Sequence, residues 1–184
     1  DKAGVDSARR AQELDPLSLI ANAVFARVLF FDGRYDEAIA QSRKTLEMDE
    51  NVFLARLILG RNLAKKGDHD TAIAELERLR EVPGGNSETT SLLAHTLASA
   101  GRTAEAGKRL GEMIQLSQKR YVQPYDIAVV HVGLGNVDAA FEWLERAYHD
   151  RNHQIPLIAT VPEFEGLRTD PRWNGFAGRF ESRR

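Results

Sequence analysis

His149 and His153 stand four residues apart, the spacing at which two imidazoles share a helix face and can hold a divalent cation. The sequence places no third ligand with them, and the helix carrying His149 is expected to end before His153, so neither a metal nor another cofactor is expected. Glu142 and Glu145 could form the carboxylate pair of a glycoside hydrolase. They lie beside Arg146 on a charged helix face, and the reading adopted is a solvated face. His131 falls in a packing register and reads as a core or half-buried histidine rather than an acid–base catalyst. GLGNVD around Gly135 is a turn between helices, and the chain has no G-x-G-x-x-G, Walker-type loop or G-x-S-x-G. Phe141, Trp143 and Tyr148 fit core packing better than a cofactor box. Arg168, Arg172, Arg179, Arg183 and Arg184 read as a solvated terminus rather than a nucleic-acid site. No catalytic residue is assigned, and an enzyme is the least supported class because no nucleophile, base and oxyanion donor converge.

These residues must be positioned by a chain of 184 residues with 42% hydrophobic and 28% charged residues, a globular composition. The formal net charge of -2 provides no global drive toward nucleic acid. Cysteine is absent, which excludes disulfides, thiolate metal sites and cysteine nucleophiles. No apolar run reaches the length of a membrane span, and DKAGVDSARR lacks the character of a signal peptide. The expected compartment is the cytoplasm, with the periplasm as the alternative that composition leaves open. The start without methionine, inside a repeat, leads to the expectation of a fragment of a longer protein.

The organising signal is a period. Gly33, Gly67, Gly101 and Gly135 are 34 residues apart, and each is followed five residues later by an alanine: Ala38, Ala72, Ala106 and Ala140. Before each glycine, apolar and small residues recur at helical spacing: Phe25, Ala26 and Leu29, then Leu59, Gly60 and Leu63, then Leu93, Ala94 and Leu97, and finally Ile127, Ala128 and His131. After each glycine runs a second helix, of which YDEAIAQSRKTLEM is the first example. Each unit is thus helix, tight turn, helix. The glycine supplies a left-handed residue that ends the first helix, and the alanine marks a close helix crossing where a larger side chain would overpack. Gly4 lies 34 before Ala38 and places a half-repeat at the start of the chain.

The period and its glycine–alanine signature resemble the tetratricopeptide repeat (TPR). The consensus tryptophan is replaced by Asn22, Arg56, Thr90 and Pro124, the tyrosine by Leu29, Leu63, Leu97 and His131, and the closing proline remains in register only at Pro16. The resemblance implies an all-α fold, a right-handed superhelix or α-solenoid, with a half-repeat at 1–18, repeats at 19–52, 53–86, 87–120 and 121–154, and a helical cap at 155–184. The last part, through VPEFEGLRTDPRWNGFAGRF, resembles the final repeat and cap of bacterial multidomain signalling proteins, including winged-helix transcriptional regulators, cyclases and Ser/Thr kinases. In the cap, a short turn is expected from Pro162 to Leu167, then a helix with Asp170 as N-cap and Pro171 in its first turn. Phe164, Leu167, Trp173, Phe176 and Phe180 would cover the end of the stack.

In the resembling fold the first helices line a concave groove, with an exposed stripe 13, 10, 6, 3 and 2 residues before each glycine. That register gives Ile20, Ala23, Arg27, Phe30 and Phe31, then Leu54, Leu57, Arg61, Ala64 and Lys65. It continues with Glu88, Ser91, His95, Ala98 and Ser99, and then Val122, Tyr125, Val129, Val132 and Gly133. The candidate partner-binding residues are Arg27, Phe30, Phe31, Arg61, Lys65, Ser91, His95 and Tyr125, a set suited to a protein or peptide with acidic and apolar residues. The opposing reading has the arginines paired with carboxylates of neighbouring repeats on a solvated face. Small and apolar residues at Ala23, Leu57 and Val129 do not support a carboxylate clamp for chaperone tails. The expected function is a non-catalytic interaction scaffold serving as the sensory or assembly module of a bacterial signalling or transcription-regulatory protein. The alternative is self-association to a homo-oligomer through the second helices or the half-repeat, with Leu14, Val5 and Ala11 exposed.

Overall fold

The computed structural model describes residues 2–80 and 86–181. These residues form ten α-helices and two 3₁₀ turns, with no strand among them. The chain divides into two compact units, Asp1–Pro83 and Gly84–Arg184.

The first unit holds α1 (Lys2–Leu14), α2 (Leu19–Phe31), α3 (Tyr35–Met48), α4 (Phe53–Lys65) and α5 (His69–Arg80). Each helix packs on the next in sequence, and α2 also packs on α4. Ser18 opens α2, its side chain accepting from the Ala21 N–H at 3.2 Å. The α2 core joins Val5 of α1 with Phe25, Ala26, Leu29 and Phe30, Ala38 of α3 and Ile58 of α4. The second unit holds α6 (Ser87–Ser99), α7 (Thr103–Ser117), α8 (Pro124–Gly133), α9 (Val137–His149), the 3₁₀ turns Ile155–Thr160 and Pro162–Leu167, and α10 (Arg172–Glu181). Here α6 packs on α7 and α8, and α8 on α9.

The periodic glycines do what the spacing predicts. Gly33, Gly67, Gly101 and Gly135 have φ of 78°, 85°, 78° and 73°. Reversing the chain there lets the next amide bond back across the helix end: Arg34 N–H to Leu29 O at 2.9 Å, Asp68 to Leu63 at 3.0 Å, Arg102 to Leu97 at 2.8 Å and Asn136 to His131 at 2.9 Å. That six-to-one bond satisfies carbonyls that the helix itself leaves open. Ala38, Ala72, Ala106 and Ala140 are all fully buried.

At two positions of the missing tryptophan, polar pairs join the helices of a repeat. Gln41 Nε2 of α3 donates to Asn22 Oδ1 of α2 at 2.6 Å. Nineteen residues separate the partners, as they do Arg56 of α4 and Glu75 of α5, which form an ion pair. Asn22 is fully buried, and its Nδ2 donates to the Pro16 and Ser18 carbonyls at 2.9 and 2.8 Å. The aromatic wedge is thus replaced by satisfied hydrogen bonds, without which a buried amide would cost about 1–3 kcal/mol.

The end of the second unit is a lid. Phe164, Leu167, Trp173 and Phe176 are buried with Tyr125, Val129, Phe141 and Leu144, and Phe180 packs alongside. Asp170 caps α10 by accepting from the Arg172 N–H at 2.9 Å. Its carboxyl is held down at about 2, first by hydrogen bonds from the Arg172 side chain and then by the one from its backbone.

Candidate peptide-binding surface

In the first unit, α2 and α4 lie side by side and bring part of the expected stripe together. Arg27 projects into solvent from α2, and among the described residues it has no ion-pair partner. Phe31, at the end of α2, is 40% exposed. From α4 the Arg61 guanidinium lies 4.5 Å from the Phe30 ring centroid and 5.6 Å from that of Phe31. Lys65 is half-buried one turn further along α4. Arg61 is the cation that lies against the Phe31 ring, and Arg27 and Lys65 stand on the same two helices. Cation–π contact is worth about 0.5–1 kcal/mol at an exposed site and more where water is excluded, so the Phe30 and Phe31 rings bias Arg61 toward this position.

Phe30 itself does not line this surface. It is 1% exposed, packed in the core, edge-on to Phe31 at 5.2 Å and tilted against Tyr35 at 5.9 Å. The position ten before the glycine is buried in every repeat, as Ala23, Leu57, Ser91 and Tyr125. In the first unit the packing of α2 on α4 covers this register; in the second, α6 and α8 pack the same way. Ser91 Oγ donates to the Glu88 carbonyl at 2.8 Å, which leaves it a helix hydroxyl turned inward.

The stripe of the second unit is largely closed. Tyr125 is 5% exposed and meets Phe164 edge-on at 5.2 Å, because the turn Pro162–Leu167 packs onto α8. His95 is half-buried where α6 and α8 approach so closely that a Cβ on Gly133 would sit 2.9 Å from the His95 Cα. Sequence reasoning identified the lid residues but did not place them over Tyr125. The clue available was their number: five large apolar residues cover more than the helix end alone.

The remaining candidates take quiet positions. His149 ends α9, and His153 lies past the chain reversal at Arg151, so the two do not share a helix face. Among the described residues no group of three or more potential metal ligands occurs. Glu145 pairs with Arg179 at 2.8 Å, and Arg146 lies 4.2 Å from the centre of the Trp143 ring. His131 is half-buried; desolvation pushes its pKa below the usual histidine range, and the Glu142 charge partly opposes this. Arg172 pairs with Asp138 at 2.9 Å and lies over Phe141, while Arg168 donates to the Ala159 carbonyl at 3.2 Å. Arg183 and Arg184 lie outside the described residues. Val5, expected to be exposed, is buried against α2. The accessible apolar residues of that end are Leu14, Leu17 and Ile20, at 69%, 80% and 77%. No helix of the described residues is long and apolar enough to cross a membrane.

A family model described as tetratricopeptide repeat matches residues 24–86. No curated protein matches the chain. The matched segment runs from within α2 through α5, including two of the left-handed glycines and the Arg56–Glu75 pair that replaces the tryptophan in the second repeat. The match and the all-helical hairpins of both units support a tetratricopeptide repeat protein, a class whose repeats generally mediate protein–protein interaction and are typically non-catalytic.

Proposed function

We propose that this chain is a non-catalytic scaffold that binds an acidic, partly apolar protein segment on the α2–α4 face, within a groove formed by first helices. The observation that carries the reading is Arg61 lying against the partly exposed Phe31 ring, with Arg27 and Lys65 on the same two helices. A carboxylate approaching that edge meets charge-assisted donors, and an apolar neighbour in the ligand packs on the ring. The resemblance of the last repeat and cap to bacterial signalling proteins supports a role as their sensory or assembly module.

The test is affinity capture from native cell extract with the chain and two charge variants. Arg27→Glu with Lys65→Glu should lose the captured protein while leaving the circular dichroism unchanged. Arg61→Glu should lose it too, but with reduced stability, since Arg61 also covers Phe30. Retention by both variants would remove this face from the reading.

Exposed Leu14, Leu17 and Ile20 favour a second reading, self-association through the start of the chain. Light scattering then shows a dimer that Leu17→Glu dissociates; a monomer at all concentrations contradicts it.

A further inference from the structure

The second unit contains a cleft of about 500 Å³ between the α7–α8 connection and the end of α9, lined by residues that the repeat signature does not use. Several of its acceptors are engaged, the Asp150 carboxylate at one oxygen only. Asp150 Oδ2 accepts from the Tyr121 hydroxyl at 3.4 Å, Gln123 Oε1 from Asn152 Nδ2 at 2.6 Å, and Asn152 Oδ1 from the Gln154 N–H at 2.9 Å. Asn152 is more than nine-tenths buried, so this frame is fixed. Ser87 Oγ donates to buried Asp126. The donors are not similarly used: among the described residues the guanidinium groups of Arg120 and Arg151 have no partner, and the Gln123 amide nitrogen is the end left to donate.

Arg151 also breaks the pattern of the chain. Every other left-handed residue described here is glycine, yet Arg151 has φ of 53° where α9 ends. Asn152 N–H bonds back to the Ala147 carbonyl at 3.0 Å, the same six-to-one closure made at the four glycines. Glycine would make this turn without strain, and backbone strain held at a cleft is a pointer to function.

We propose that this cleft binds the carboxylate of a monoanionic ligand through Arg120, Arg151 and Gln123, with Tyr121, Leu116 and Val122 as its apolar wall. A bidentate guanidinium–carboxylate pair matches the free donors, and the Asp150 charge in the lining repels a phosphate dianion about twice as strongly as a carboxylate monoanion. The site is independent of the α2–α4 face. Hippurate and its neutral analogue hippuramide are the probes, titrated into the full chain and followed by amide NMR shifts. Hippurate is expected to shift Gln123, Arg151 and Asn152 saturably and to bind at least about tenfold tighter than hippuramide. Arg120→Gln with Arg151→Gly should weaken hippurate at least about tenfold while the fold is kept, since glycine suits the turn. An acetylated pentapeptide ending in Phe-Gly, compared with its C-terminal amide, distinguishes the two carboxylate sources. Tighter binding than hippurate, lost in the amide, assigns a chain terminus; weaker binding assigns a small free acid. No saturable shift with hippurate, equal binding of hippurate and hippuramide, tighter binding of inorganic phosphate, or an unaffected double variant would overturn the proposal.

Discussion

Two side chains depart from the repeat pattern in ways that stability measurements can read. Arg151 holds a left-handed conformation at the end of α9, which costs a non-glycine residue about 1–2 kcal/mol. Arg151→Gly should therefore raise the denaturation midpoint, with a gain of about 1 kcal/mol after the flexibility that glycine adds to the unfolded chain. His131 occupies the register filled by Leu29, Leu63 and Leu97 in the other repeats. Burial depresses its pKa, so the unfolded chain binds the proton more readily than the folded one, and stability falls as pH drops from above the usual histidine range to below the folded value. His131→Leu should flatten the urea midpoint between pH 8 and pH 5; an unchanged pH dependence would show that His131 is not its source. Asp170, held at about 2 by Arg172, contributes stability present above the usual carboxylate value and lost as pH falls from about 4 through about 2.

Helix crossings decide what each glycine is worth. A Cβ at Gly60 would lie 2.9 Å from Cγ of the buried Leu76 side chain, whereas at Gly133 it would lie 2.9 Å from the His95 Cα, which is backbone. Gly133→Ala must force α6 and α8 apart and should cost about 1–3 kcal/mol. Gly60→Ala should cost less. Gly107 and Gly111 of α7 are exposed and meet nothing within 4 Å, so alanine there should stabilise by about 0.5–1 kcal/mol each. Chemical denaturation of the four variants gives this order directly. The sequence made the helical hairpins and their left-handed turns legible because both depend on local spacing. Which residues of a first helix reach solvent depends on its neighbours. Phe30 and Phe31 are adjacent in sequence, yet Phe30 is core and Phe31 is surface. Tyr125 fitted the stripe by register and was removed from it by Phe164, 39 residues later.

At the scale of the whole molecule, each unit buries its helices against sequential neighbours, the construction expected of repeat architectures. The second unit ends in a lid whose centre is Phe164, fully buried. Phe164→Ala should cost about 3–5 kcal/mol and expose Tyr125, with binding of a hydrophobic dye as the readout. A near-neutral net charge of -2 leaves recognition to local patches, of which the α2–α4 face is the cationic one proposed to bind protein. The most direct measurement is capture of proteins from native extract by the chain, by the Arg27→Glu, Lys65→Glu variant, and by the Arg120→Gln, Arg151→Gly variant. A protein retained by the first and third and lost by the second is the expected result. A protein retained equally by all three, or none retained by the unaltered chain, would contradict it.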